Sequence, residues 1–200
     1  TFILGLALGG LAVRRQVDAS AAPERLLGWI QVVMGLLALA TLVVYDYTFE
    51  LMETLMKGLA RTDTGYVMFN LTGQLISALV MLPATFCAGM TLPLITGALI
   101  RRGAGEGAIG KVYAANTLGA IAGVLIAVHV GLPLLGLKGT MVLGSLVDAV
   151  LGLVLLWRFL PSRPALAATG IGCAALFAPV SLAYDLDPNK MTAGVFRYGE

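Results

Sequence analysis

Residues 110–136 read GKVYAANTLGAIAGVLIAVHVGLPLLG. The run is apolar enough to be a membrane helix, and longer than the roughly 20 residues such a helix needs. Yet an amide and a hydroxyl, Asn116 and Thr117, sit in its first turns. Small residues recur at every fourth position: Ala115, Gly119, Gly123, Ala127 and Gly131. At 3.6 residues per turn these five form one slowly drifting stripe. Leucine at those positions would insert better but would hold a neighbouring helix away. Small side chains let a second helix approach, so that dispersion and Cα–H···O contacts replace the missing hydrophobic drive. Gly119 and Gly123 are therefore expected to face another helix closely, within the chain or in a homodimer.

The rest of the chain has the same character. It is 58% hydrophobic and only 12% charged, against about 25% charged in a soluble domain. That balance describes an all-α, polytopic transmembrane helix bundle in a lipid bilayer. The net charge of +2 gives no basis for a nucleic-acid partner. A first, truncated span ends near Val13. Full spans are expected over 26–45, 66–100, 111–135, 137–157 and 165–183, about six in all. A membrane β-barrel is excluded, because its two-residue alternation is absent. The chain opens inside an apolar run without Met. It is expected to be a piece of a longer protein, with a transmembrane domain over 1–183 and a linker over 184–200.

The connections alternate in charge. RRQVDASAAPER (14–25), RRGAGEGAIGK (101–111) and RFLPSR (158–163) are basic. They fall on one side if every span crosses, and the positive-inside rule makes that side cytoplasmic. The acidic connection after Tyr45 falls on the other side. Within it, Phe49, Leu51, Met52, Leu55, Met56 and Leu59 recur at helical spacing, which predicts a short amphipathic helix on the membrane surface. Cys87 and Cys173 read as small buried residues rather than a disulfide.

Several residues inside the spans ask for a role. Gly5 and Gly9 form a GxxxG pair, and Gly144, Asp148 and Gly152 share a face of the fifth span. Asp148 lies about 16 Å into that span, and His129 about 9 Å deep in the one before it. A carboxylate at such depth is costly and by default a functional hypothesis. Asp148 either hydrogen-bonds structurally or forms a proton-coupled pair with His129. Asn116 and Thr117 either bond neighbouring backbone or line a polar cavity. Pro83, Gly89 and Pro93 fall within one apolar run, LPATFCAGMTLPL (82–94), where lost helix hydrogen bonds should kink or break the third span. Broken helices can form transporter sites.

No soluble catalytic constellation is visible, and neither a metal-ligand spacing nor a phosphate loop occurs. GAGEGAIG (103–110) superficially resembles a dinucleotide fingerprint. It lacks a preceding strand and leads into a membrane helix, so it reads as a loop. No catalytic, cofactor-binding or metal residue is assigned, and no cofactor is expected in this part of the chain.

Three stretches in order, LPATFCAGMTLPLITGAL, GAIGKVYAANTLGAIAGVLIA and GLPLLGLKGT, resemble the membrane region of the membrane-bound spermidine synthase-like proteins, the fused major-facilitator/spermidine synthase family. Gly110, Tyr113, Ala114, Asn116, Thr117, Leu118, Gly119 and Ala120 match that family's run closely. Pro83, Gly89 and Pro93 match its proline kink with one extra residue. FILGLALGG resembles its second span, and LDPNKMTAGVFRYG (186–199) its approach to the synthase-like domain. The resemblance implies a bundle serving as anchor or substrate conduit for a C-terminal aminopropyltransferase-related domain, in a bacterial inner membrane. The acidic catalytic residues of such enzymes lie in that later domain, so this part of the chain would not be an enzyme alone. Two other readings stand beside it: a transporter-like bundle using Asp148, His129 and the kink, and a structural subunit of a membrane complex.

Overall fold

The computed structural model of the chain describes residues 1–19, 22–58 and 62–183. The described residues are helical almost throughout. The elements are α1 (Phe2–Ala19), α2 (Pro23–Gly58), α3 (Asp63–Arg101), α4 (Gly107–Ile126), a π-helical turn (Ala127–Gly131), α5 (Leu132–Phe159) and α6 (Arg163–Ala183). The expected linker over 184–200 lies outside the described residues. Four stretches are long and apolar enough to cross a membrane: Pro23–Tyr45, Asp63–Arg101, Gly107–Phe159 and Arg163–Ala183, with Phe2–Arg14 a shorter apolar helix.

The third of these stretches is two crossings. Gly136 sits at φ 67°, ψ −177°, a region open essentially to glycine alone. The chain doubles back there, so that Gly131 packs on the Thr140 side chain. The two legs, 107–135 and 137–159, are roughly 43 and 34 Å long at 1.5 Å per residue, each enough for a core of about 30 Å. Just before the turn, the Leu132 amide bonds the Ala127 carbonyl five residues back. Pro133 follows and has no N–H to offer the His129 carbonyl, and the wider π turn accommodates that loss. With this division the bundle has the expected crossings, five of full length and the shorter α1.

The core is layered around α2. One cluster joins Val13 of α1, Leu27 and Ile30 of α2, and Cys87 and Leu94 of α3. Two others join α2 to α5 and α6, through Leu39, Leu42, Ala149 and Phe177 and through Val32, Leu156 and Cys173. The two free cysteines are thus buried in different clusters. Close approach is made by glycine on both sides. A Cβ on Gly9 would strike the Phe86 carbonyl and lie 3.1 Å from Gly89 Cα, and one on Gly5 would strike the Thr85 hydroxyl. The GxxxG of α1 is therefore a real seam with α3. A second seam joins α2 and α5: a Cβ on Gly35 would lie 2.6 Å from the Ser145 carbonyl oxygen, and one on Gly152 would lie 2.7 Å from the Gly28 carbonyl oxygen.

Three expectations are corrected. First, α3 is not broken: helix continues through Pro83 and Pro93. Thr85 and Thr96 return their hydroxyls to carbonyls of the same helix, at Met81 and Leu92, both 2.9 Å. Packing against α1 and α2 holds the segment between the two prolines. Second, the amphipathic segment after Tyr45 is no separate surface helix. It continues α2 to Gly58. Phe49 and Met52 are buried with Ile76 against the first half of α3, and Tyr45 meets Phe49 edge to face at 5.0 Å. With 36 and 39 residues, α2 and α3 run about 54 and 58 Å, so their hairpin extends well past a hydrocarbon core.

Third, Gly119 and Gly123 meet nothing within 4 Å. Residues 113–126 of α4 are exposed around the whole circumference. α4 is tied to the bundle near its buried Ala108 and, through the π turn, to α5. The small-residue stripe therefore packs on no helix of this chain until Gly131. A Gly123→Leu variant should accordingly lose no stability, and gain up to about 1 kcal/mol from helix propensity. Thermal unfolding of the variant in detergent checks this.

The basic connections meet at one end. Arg102 forms an ion pair with Glu24 at 2.9 Å and stacks its guanidinium 5.2 Å from the Phe159 ring, while Arg101 donates to the Val17 carbonyl. These contacts bring together the α1–α2, α3–α4 and α5–α6 connections. An exposed pair of this kind contributes at most about 1 kcal/mol, so its significance is positional.

Candidate intramembrane polar site

Hydroxyls in the spans are mostly spent on their own helices. Thr117 donates to the Tyr113 carbonyl at 2.9 Å, Ser145 to Met141 at 2.8 Å and Thr91 to Ala88 at 2.7 Å. Such back-bonding satisfies the hydroxyl without a partner helix. His129 Nδ1 lies 3.1 Å from the Leu125 carbonyl oxygen, again within one helix. Asn116 is exposed on α4, where no other helix reaches it.

Asp148 has a different setting. It lies mid-span on α5 and is partly buried. The hairpin register does not bring it to His129. With Gly131 opposite Thr140, an antiparallel count places His129 near the level of Val142 and Asp148 near the level of Gly123. The structure therefore leaves Asn116, Thr117, His129 and Asp148 as four separate positions rather than one site.

The residue that does stand near Asp148 in register is Gln31, which the sequence reading did not single out. Gly28 meets Gly152, and Gly35 meets Ser145 and Ala149. Gln31 lies between Gly28 and Gly35, and Asp148 between Ser145 and Gly152, so the two occupy the same stretch of the seam. Their side matches as well. Gln31 adjoins Leu27 and Met34, which pack toward α1 and α3. Asp148 adjoins, one and two turns on, Gly152 and Leu155, and Leu155 joins that same cluster. The opposite flank, with Leu36, Val142 and Leu153, packs on α6. Both polar side chains thus border the α3 side of the α2–α5 seam. The Gln31 Oε1 atom is buried and has no hydrogen-bond partner. The available signal was compositional: Gln31 is the sole amide in LLGWIQVVMGLLALATLVVY (26–45), midway between two glycines seven apart.

No family model, curated protein or solved structure matches this chain.

One other concavity, open and about 400 Å³, lies between the start of α1, Met52 of α2 and the first half of α3, and is lined by Asn70, Gln74 and Ser77. Asn70 and Ser77 bond carbonyls of their own helix at 2.9 Å. Among the described residues no group of three or more His, Cys, Asp or Glu side chains is placed to hold a metal ion.

Proposed function

We propose that this chain is the membrane domain of a spermidine synthase-like, polyamine aminopropyltransferase-related protein, and that it serves chiefly as an anchor in a bacterial inner membrane. The sequence resemblance centred on YAANTLGA supports the family. The geometry supports the anchoring role through one observation. The three basic connections meet at one end, through Arg102, Glu24 and Phe159, while α6 starts beside that end and finishes at Ala183, one crossing away. The described residues thus end, at Ala183, on the face opposite the basic end, and it is the sequence of 186–199 that resembles the approach to a synthase-like domain.

With the basic end cytoplasmic, a domain joined after Ala183 stands outside the cytoplasm, away from nucleoside donors. That placement favours an anchor over a conduit feeding cytosolic aminopropyl transfer. Paired reporter fusions at Ala104 and after Ala183 test it. The expected result is a cytoplasmic signal from the first and an extracytoplasmic signal from the second. Two fusions reporting the same side would overturn the anchoring topology.

A transporter-like bundle is the second reading. It is favoured by Asp148, a carboxyl in mid-span where charge costs about 2.5–3.5 kcal/mol on insertion scales. The third, a structural subunit, is favoured by the uncovered α4.

A further inference from the structure

Helices α3 and α5 each pack extensively on α2 and far less on each other. They leave a lateral groove whose floor is α2. Gln31 lies at the floor, beside Leu27 and Met34, and Asp148 on the α5 wall. On that wall Gly144 and Leu151, which flank Asp148 along the helix, are exposed. The groove is therefore accessible from its side.

Both groups present oxygen. Gln31 Oε1 is an acceptor without a donor, and among the described residues the Asp148 carboxyl has neither a hydrogen bond nor an ion pair. A buried acceptor left unsatisfied costs about 1–3 kcal/mol, and an ionised carboxyl beside it costs more. Two acceptors in one stretch of a seam repel unless something positive stands between them. Among the described residues no such charge stands nearby. Residues 26–45 of α2 and 64–100 of α3 contain no Lys, Arg, His, Asp or Glu. Their ionisable side chains are Tyr45, Tyr66 and Cys87, and Cys87 is buried in the cluster with Val13 of α1. Lys138 lies ten residues back on α5, about 15 Å along the axis. On the leg before α5, Lys111, Tyr113 and His129 belong to the segment that stands off the groove.

We propose that Gln31 and Asp148 form an intramembrane site for a small monovalent cation, entered from the groove between α3 and α5. The cation replaces the carboxyl proton: protonated Asp148 releases H⁺ as M⁺ binds its carboxylate, with Gln31 Oε1 as a second oxygen ligand. An alkali metal ion and a protonated primary amine share the chemistry this pair recognises. The site does not depend on the synthase-like reading, since it uses only side chains of the bundle.

The test uses the full protein in nanodiscs at fixed pH and ionic strength, with sodium, potassium or methylammonium chloride exchanged against choline chloride. Two signals are read: the melting temperature and the infrared band of the protonated carboxyl. At least one small cation should raise the melting temperature and diminish the band. Asp148→Asn should lose both responses. Gln31→Leu should keep the band but need about tenfold more cation, the loss of one ligand contact. Comparing sodium and potassium with methylammonium separates a metal-ion site from an amine site. A band that answers to pH and to no cation would mean a structural acid–amide hydrogen bond and would overturn the proposal. So would a cation response retained in Asp148→Asn. If that variant does not fold, the band in the wild type and the shifted midpoint in Gln31→Leu decide the question.

Discussion

Gly9→Val should leave no folded, monodisperse protein, and Gly89→Val should do the same from the opposite helix. A single methyl at Gly9 already meets the Phe86 carbonyl, and one at Gly89 meets the Leu6 carbonyl and lies 2.8 Å from Leu6 Cα. These obstacles are backbone atoms, which cannot rotate away as a side-chain tip can. The only relief is to move α1 off α3, giving up the contacts that bury Val13 and Leu94. Overpacking typically costs about 1–3 kcal/mol and more where the backbone must shift, against a total stability of about 5–15 kcal/mol. Gly9→Ala should lose about 2–3 kcal/mol, and valine at the same place should exceed what the bundle can bear. The adjacent glycine is the control. A methyl at Gly10 would lie 3.6 Å from the Gly89 carbonyl, an ordinary contact, so Gly10→Ala should be neutral or stabilising by up to about 1 kcal/mol, the helix-propensity gain. Size-exclusion profiles and melting temperatures of the four variants check the series. Equal losses at Gly9 and Gly10 would mean that helix propensity, not close approach, governs the seam.

Spacing alone made the α1 glycines and the α4 glycines look alike. GxxxG states that a helix can be approached closely, and is silent on whether a partner is there. At Gly5 and Gly9 the partner is α3. At Gly119 and Gly123 there is none in the chain, because α4 stands away from the bundle. The spans were legible because a hydrocarbon core imposes length and apolarity on every crossing. Their division at Gly136 was legible because two glycines and a proline interrupt the run between two such lengths. What the sequence left open was whether proline breaks the helix or only bends it, and the break does not occur. The sequence rule concerns one lost hydrogen bond, and α3 absorbs it at Pro83 and Pro93 within a packed helix. The surface-helix expectation failed for a related reason: Phe49 and Met52 are amphipathic toward α3, not toward lipid. Asp148 was legible as an anomaly, but its environment was not. Helical period places it on a face, and only the pairing of Gly28 with Gly152 shows that Gln31 shares that face.

Gly136→Val should separate the two legs of the central hairpin while leaving each leg helical. Nothing lies within 4 Å of a Cβ at this position, so the expected loss is purely one of backbone conformation. A non-glycine residue held at φ 67°, ψ −177° costs about 1–3 kcal/mol, and a β-branched one stands at or above the top of that range. The turn also places Thr140, which donates to the Gly136 carbonyl at 2.7 Å, against Gly131. A Cβ at Gly131 would lie 3.6 Å from Thr140 Cβ, within the range a disulfide spans. In a background with Cys87 and Cys173 replaced by alanine, Gly131→Cys with Thr140→Cys should therefore cross-link readily under mild oxidation. Adding Gly136→Ala should slow the cross-link, and Gly136→Val should nearly abolish it, with helix content by circular dichroism unchanged. If cross-linking is as fast with valine as with glycine, lipid length-matching of the two legs, rather than the glycine turn, holds the hairpin closed. A loss of helix content instead would place the defect in insertion. The two readouts together distinguish a hinge that glycine makes from one that the membrane would impose on any residue.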